Sequence, residues 1–525
     1  MTGEDLVVGS GPAGVSAAYA LLAQGRRVRM IDVGITLEAD HELRRARMAA
    51  VDPDLWSQTD RIASMRARRE ARTDGMRPFG SDFPVRDAVG FFGAEGPPEM
   101  LAFRPSFAMG GLSNGWGAAV LPYRDADLAA WPAAARDLAP HYQAVSAFMP
   151  IAAARDDLAD KFPMWRPQGE DLPEPGPQVA QLLNRLSRRQ GALARRGISA
   201  GRARIAYAAS KCRACGMCLF GCPYGVIFNA AHAVKKLIGN SRFSYEPGLR
   251  VVRFAEEESG VTLFTVDANG LSPRRIAGDR LFIAAGALPT TRIMLNSVPQ
   301  HLTTLSLRDS QHALMPMLHA WAPPADIETA PRTAFAQAFL EIEYQSLSAT
   351  TVHAQVYAYN DLYRSDLALR FGHLSTAFGP LIGALSRRLL VAQIFVHSDH
   401  GGAIGVSLDG DPGDARLSYK VSTNRDAERV LRRSADAISS TLFPSGVIAL
   451  KSQLRLGALG SSFHVGASLP MKDRPKGNES DIFGRVAGLR RVHVIDASVF
   501  SSVPATTITF TVMANAHRIA ADAPL

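Results

Sequence analysis

The spacing of apolar and polar positions divides the chain into buried strands, helices and a few interrupted stretches. Near the N-terminus Leu6-Val7-Val8 is a short apolar run of the kind a parallel strand shows when both faces are covered. A helical pattern from Val15 to Gln24 follows and stops at Gly25, and a second strand, Val28-Arg29-Met30-Ile31, closes on Asp32. Much further on, Ala334 to Tyr344, Thr350 to Tyr359, Leu389 to His397 and Ala403 to Leu408 read as successive strands of one sheet. The stretch 163–177 holds five Pro together with Gly169, Glu170 and Asp171, and it reads as a surface loop or domain crossing. Phe371 to Leu385 is apolar but broken by His373, Ser375, Thr376 and Pro380, which suits core or a channel wall better than a membrane contact.

Composition bounds these readings. The 525 residues are 47% hydrophobic and 20% charged, with 44 Gly and 32 Pro, which excludes a disordered tail, a collagen-like repeat and a disulfide-dense secreted module. The net charge of +9 is small for this length, and Arg-rich stretches such as 44–47 and 66–69 lack interleaved aromatics, so a solvated face is expected rather than a nucleic-acid site. No membrane span and no targeting segment is apparent, which makes the cytoplasm the expected location.

The first candidate chemistry lies between the first strand and its helix, in Gly9-Ser10-Gly11-Pro12-Ala13-Gly14. Strand, glycine turn, helix, strand and terminal acid together make the dinucleotide fingerprint. Gly9 makes the tight turn and Gly11 lets backbone approach a pyrophosphate, which the free N–H groups of the helix end then stabilise. Gly14 allows close helix–strand packing, and Asp32 can accept from ribose hydroxyls. The motif alone leaves FAD and NAD open.

Four distant segments resolve that choice. Val492-His493-Val494-Ile495-Asp496-Ala497-Ser498-Val499-Phe500 resembles the signature of the glucose–methanol–choline (GMC) oxidoreductases, and Leu281 to Pro289 resembles their strand and glycine turn beside the cofactor. Gly110-Gly111-Leu112-Ser113-Asn114-Gly115 is similar to their flavin loop, and Ser462-Phe463-His464-Val465-Gly466 to the segment carrying the active-site His. The resemblance implies an α/β + β fold: a Rossmann-like FAD-binding domain and a discontinuous substrate domain built on an antiparallel sheet. The expected FAD-binding segments are 1–35, 86–130, 203–300 and 455–525, and the substrate segments 36–85, 131–202 and 301–454. It further implies FAD contacts at Gly9, Gly11, Pro12, Ala13, Gly14, Asp32, Gly110, Gly111, Asn114, Ala285, Gly286, Asp496, Ala497 and Thr507, with a helix from Thr507 to Ala521 aimed at the ring. His464 is the expected base, with Thr507 and Asn114 nearby. The family places a second His or Asn where this chain has Thr507, a hydroxyl that can orient but is a poor base. His353, His397 and His400 carry weaker claims.

The four cysteines, Cys212, Cys215, Cys218 and Cys222, follow the spacing C-x2-C-x2-C-x3-C-P of the bacterial ferredoxin run. Thiols this close are poor disulfide scaffolding. The spacing leaves an iron–sulfur cluster ([4Fe–4S] or [3Fe–4S]), zinc or structural thiols open, and the cluster is the expectation. The whole sequence then suggests a dehydrogenase that takes a hydride from the CH–OH group of a small-molecule alcohol and relays electrons to a protein or quinone. An oxygen-using oxidase with structural cysteines and a flavin/iron–sulfur electron-transfer subunit are the alternatives.

Overall fold

The computed structural model describes residues 3–65, 78–87, 90–92, 101–163, 170–267, 270–298, 302–320, 333–358, 383–385, 387–410 and 416–524. The interrupted apolar stretch lies outside the described residues up to position 382, as do the Arg-rich run 66–69 and residues 164–169 of the proline-rich loop.

A five-stranded parallel sheet carries the order Val492–Val494, Arg280–Ile283, Glu4–Val8, Arg27–Ile31, Phe243–Glu246. Leu6–Val8 and Leu281–Ile283 in its centre are apolar and buried because helices and loops cover both faces. The N-terminal helix Pro12–Ala23 packs on the C-terminal helix Thr509–Asp522, and Ser16 Oγ donates to the Met513 carbonyl at 2.7 Å. A three-stranded antiparallel meander, Leu249–Glu256, Val261–Asp267 and Arg274–Gly278, leads back into the parallel sheet.

The second large sheet is antiparallel. Among the described residues it joins Val447–Ala449, His312–His319, Leu389–Phe395, Val352–Tyr357, Ala336–Ile342 and Ile198–Arg202 in that order, with Arg455–Leu456 also paired to His312–His319. One face is apolar, with Leu340, Ala354 and Ile394 buried against Val430, Leu431 and Ile438 of the helix Arg425–Leu442. Three of the four strands expected in a single sheet are here. The fourth, Ala403–Asp409, is in a separate four-stranded sheet with Arg416–Ser422, Thr304–Asp309 and Val465–Gly466. The turn at 397–402 redirects the chain between the two sheets, and apolar alternation records a strand's faces but not its partners. The proline-rich segment also departs from a plain loop, since Glu170–Asp171 pairs with Ala152–Ala153.

At the start of the first strand, Asp5 is fully buried between two guanidiniums. Arg280 reaches it at 2.8 and 2.9 Å and Arg26 at 2.8 and 3.1 Å, while Arg280 also donates to the Ala523 carbonyl at 3.0 Å. Burial pushes the Asp5 carboxyl up, but hydrogen bonds from Arg280 and then Arg26 outweigh it and hold the carboxyl below its ordinary 3.8. Asp5→Asn would leave the buried Arg280 without its acidic partner and is expected to cost about 3–5 kcal/mol at neutral pH. Because the folded state holds the carboxyl low, this contribution is present above pH 3.8 and is lost as the pH falls through the lower folded value. Thermal midpoints of parent and variant should therefore converge in acid.

Candidate active site

The fingerprint folds as its residues require. Gly9 has φ 97°, and a Cβ there would lie 2.5 Å from the Ala284 carbonyl oxygen, so the turn can run against the neighbouring strand only without a side chain. Pro12 opens the helix at a position that needs no N–H. Gly11 has open space where a side chain would project, with no atom within 4 Å, and Ala13 and Gly14 are buried behind it.

The second glycine loop closes over this helix end. The position a Gly111 Cβ would take is 3.3 Å from the Gly11 Cα, and Gly110 donates its N–H to Ser10 Oγ at 2.8 Å. Ser10 in turn donates to Asp32 Oδ2, and the Tyr245 hydroxyl donates to the same oxygen at 3.0 Å. Burial pushes the Asp32 carboxyl up to about 6 in spite of the two hydrogen bonds. Asn114 is built into the loop: its amide donates to the Met109 and Gly111 carbonyls, both at 2.8 Å, and its oxygen accepts from Asn229 at 2.9 Å. It shapes the loop, and its amide is committed there. Ser10, Tyr245 and Asn229 lay beyond sequence reasoning; Ser10 sits inside the fingerprint, but the other two are isolated polar residues without a motif.

At the third strand end Ala285 and Gly286 are half-buried, and nothing lies within 4 Å of where a Gly286 side chain would stand. Asp496 is buried. Its Oδ2 accepts from the Gly286 N–H at 2.9 Å and the Thr290 hydroxyl at 2.5 Å, and its Oδ1 from the Ser498 N–H at 2.9 Å. The carboxylate thus joins two helix starts, and burial raises it above its ordinary range. Ala497 passes the geometry on, accepting the Ala467 N–H at 2.9 Å. The expected C-terminal helix begins at Thr509 rather than Thr507; Thr506 and Thr507 precede it, each with a buried hydroxyl oxygen that has no partner.

His464 lies in a clamped loop. Gly460 donates its N–H to Asp309 Oδ2 at 2.6 Å and the Ser462 hydroxyl donates to Asp309 Oδ1. Ser462 Oγ then accepts the His464 N–H at 2.9 Å, and the His464 carbonyl accepts the Ser310 N–H at 3.1 Å. The ring stacks on Phe395, centroids 5.0 Å apart and planes 19° from parallel. It is half-buried overall, yet its Nδ1 is buried without a partner. Burial, then His353 and His312, push the imidazole down to about 3, so the ring is neutral at ordinary pH. Asp309, the acid that fixes this loop, has no signature in sequence.

Beside His464, the second face of the large antiparallel sheet is polar and aromatic. Phe395 lies 6.1 Å from the His353 ring and 5.6 Å from His312, and His353 bonds Glu341 at 2.6 Å. His397 and His400 belong elsewhere: His397 Nε2 is 3.2 Å from Ser502 Oγ, and His400 bridges Ser348 Oγ at 2.8 Å and Asp426 Oδ2 at 2.6 Å.

The cysteines do not fit the expected cluster. All four are half-buried free thiols, but Cys212, Cys218 and Cys222 pack against the main core whereas Cys215 packs with Met48, Met217 and Phe220. Among the described residues no three His, Cys, Asp or Glu side chains are grouped to hold a metal ion. Burial pushes the Cys215 thiol up to about 11 and Cys218 further. The four thiols nonetheless stay within electrostatic reach of one another, Cys218 sensing Cys215, Cys212 and Cys222.

Residues 420–516 match the family model described as GMC oxidoreductase. Over these residues the chain resembles the GMC oxidoreductases. It is an FAD-dependent oxidoreductase, and the open space over Gly11 and Gly286 together with the unpartnered Thr506 and Thr507 hydroxyls fits that cofactor. Pyridoxine 4-oxidase from Mesorbium loti is similar with a TM-score of 0.57 and 15% identity over 98% of both chains. An FAD-dependent oxidoreductase from Chaetomium thermophilum, in complex with a pyridinyl-ethyl butanamide fragment, is similar with a TM-score of 0.57 and 11% identity, again over 98% of each. At these identities both speak to the fold. Comparison with curated protein sequences gives no match. Among the described residues no helix is long and apolar enough to cross a membrane.

Two outcomes follow. Flavin affinity should weaken as the pH falls through about 6, where Asp32 takes up a proton and loses acceptor capacity, and Asp32→Asn should bind weakly without that step; released-flavin fluorescence against pH reads both. Protein purified without oxygen should carry negligible iron and acid-labile sulfide, whereas about three or four irons per flavin, lost in Cys215→Ser, would show a cluster after all.

Proposed function

We propose that the enzyme oxidises the CH–OH group of a small-molecule alcohol, with His464 accepting the hydroxyl proton. The observation that carries the reading is a neutral imidazole, clamped through its own backbone, stacked on Phe395 and directly preceding the segment whose Ala467 N–H bonds the Ala497 carbonyl. Bound FAD supplies a hydride acceptor. Gly9, Gly11, Pro12, Ala13 and Gly14 at the helix end hold its pyrophosphate, Asp32 its ribose, and the Gly110–Gly111 loop, Ala285, Gly286, Ala497 and Thr507 surround the rest.

The low proton affinity of His464 has a mechanistic meaning. A buried imidazolium is unfavourable on its own, so His464 takes the proton only as negative charge develops beside it. Proton removal is thereby tied to departure of the hydride, and an alkoxide does not accumulate. Thr507, placed before the C-terminal helix with an unpartnered hydroxyl, can hydrogen-bond the reacting oxygen and orient it. Asn114 acts at one remove, through the loop it braces. The segments around the parallel sheet form the FAD-binding unit in this reading, and the polar face of the large sheet covers the substrate.

The test is anaerobic mixing of the flavin-loaded enzyme with a panel of primary and secondary alcohols. A substrate bleaches the flavin, and His464→Ala slows bleaching by about 10²–10⁴-fold at unchanged flavin content. The rate should show no acid limb at the ordinary imidazole value of 6.5, because the folded enzyme keeps His464 unprotonated down to about 3. A flavin left oxidised by every alcohol, or a His464→Ala enzyme as fast as its parent, would refute the reading.

A further inference from the structure

The chain crosses from one antiparallel sheet to the other through the short link Asp309-Ser310-Gln311-His312. Asp309 ends Thr304–Asp309 of the four-stranded sheet, and His312 begins His312–His319 of the large one. On one side the link is anchored to the turn at 396–402. The Gln311 carbonyl accepts the Val396 N–H at 3.0 Å, its side-chain oxygen accepts the Gly402 N–H at 3.2 Å, and the Ser310 hydroxyl donates to the Val396 carbonyl at 2.9 Å. On the other side it grips the loop that ends in His464. The His312 carbonyl accepts the Gly457 N–H at 2.8 Å and Ser310 donates its N–H to the His464 carbonyl at 3.1 Å. The Asp309 carboxylate takes the Gly460 N–H at 2.6 Å together with the Ser462 hydroxyl.

Asp309 is the informative member of this bracket. It is fully buried, and among the described residues no cation stands against it; its partners are the Gly460 N–H and the Ser462 hydroxyl. A lone carboxylate costs more to bury than an amide or hydroxyl that could close the same turn. What the charge adds is direction. A carboxylate only accepts, so the Ser462 proton is committed to it, and a Ser462 lone pair is left for the His464 N–H at 2.9 Å. The backbone on either side of the base needs such a hold. Phe463 has φ 58° and Ala467 φ 63°, both in the left-handed region that side chains disfavour. Released from Asp309, the loop relaxes towards ordinary φ values and the imidazole turns with it.

We infer that Asp309 is a positioning residue for the proposed base: acting through Ser462 rather than on the substrate, its carboxylate sets the angle at which the His464 imidazole meets the alcohol. The inference rests on the reading of His464 as the base and adds to it the group that holds the base in place.

Anaerobic flavin bleaching tests it, in mildly alkaline buffer where Asp309 is ionised, with the alcohol of the panel that bleaches the parent fastest. Asp309→Asn keeps the volume and loses an acceptor. It should lower the limiting rate by about 10- to 100-fold, as a misplacement of about 1 Å does, at unchanged flavin content and unchanged half-saturating alcohol concentration. The deciding comparison is made in the His464→Ala enzyme, where no base is left to misplace. There Asp309→Asn should slow bleaching by no more than about two-fold, because residues that act as a unit are not additive. Ser462→Ala removes only the link between the two residues; it should reproduce both results, and it takes over the test where Asp309→Asn loses its flavin. An Asp309→Asn enzyme as fast as its parent, an equal slowing with and without His464, or loss of flavin from both variants would each overturn the inference and leave alcohol oxidation standing. A flavin left oxidised by every alcohol, or a His464→Ala enzyme as fast as its parent, would overturn the underlying reading and the inference with it.

Discussion

The site hangs on one buried carboxylate. Asp496 ends the last strand of the parallel sheet and is surrounded by donors: the first N–H and the Thr290 hydroxyl of the helix after Gly286, and the Ser498 N–H that starts the next turn. Buried as it is, the group depends on these three donors. Meeting that demand fixes Ala497, whose carbonyl accepts from Ala467, and the strand thus held carries His464 three residues upstream. A cofactor-side turn and the proposed base are therefore parts of one hydrogen-bonded frame, set before any ligand arrives.

The large sheet answers a different requirement. One of its faces behaves as a sheet face usually does, with Leu340, Ala354 and Ile394 under the helix Arg425–Leu442. The other links Glu341, His353, Gln355 and Tyr357 by hydrogen bonds, with Phe339 and Phe395 against the His353 ring and one Glu341 oxygen left without a partner. A polar row of this kind is tolerable only when nearly complete, and it is rigid for the same reason. Rigidity is useful beside a base that must be presented to a small molecule within a fraction of an ångström.

Legibility in the sequence followed the range of the interactions. The fingerprint, its two strands and the three strands of the large sheet were readable because each is decided by neighbours a few residues apart. The sheet to which Ala403–Asp409 belongs was not, since strand pairing is a tertiary choice. His464 was visible through its resemblance, but Asp309, which clamps its loop from 150 residues upstream, carries no local mark. The polar row left a trace that was there to be read: His353, Gln355 and Tyr357 alternate along one strand, as Phe339 and Glu341 do on the next. The cysteines are a strong local pattern, yet among the described residues no three such side chains are grouped to hold a metal ion.

The parallel sheet takes its centre from the first residues of the chain and its edge from residues 492–494, and the first helix rests on the last. On the ribosome, which delivers the chain from the N-terminus, the first strand meets Arg27–Ile31 early, but its other neighbour, Arg280–Ile283, comes much later and the edge strand Val492–Val494 later still. Leu6, Val7 and Val8 spend that interval with one strand neighbour in place of two. Truncation of even the final helix would thus be felt at the opposite end of the sequence, in the cradle that the first fourteen residues build.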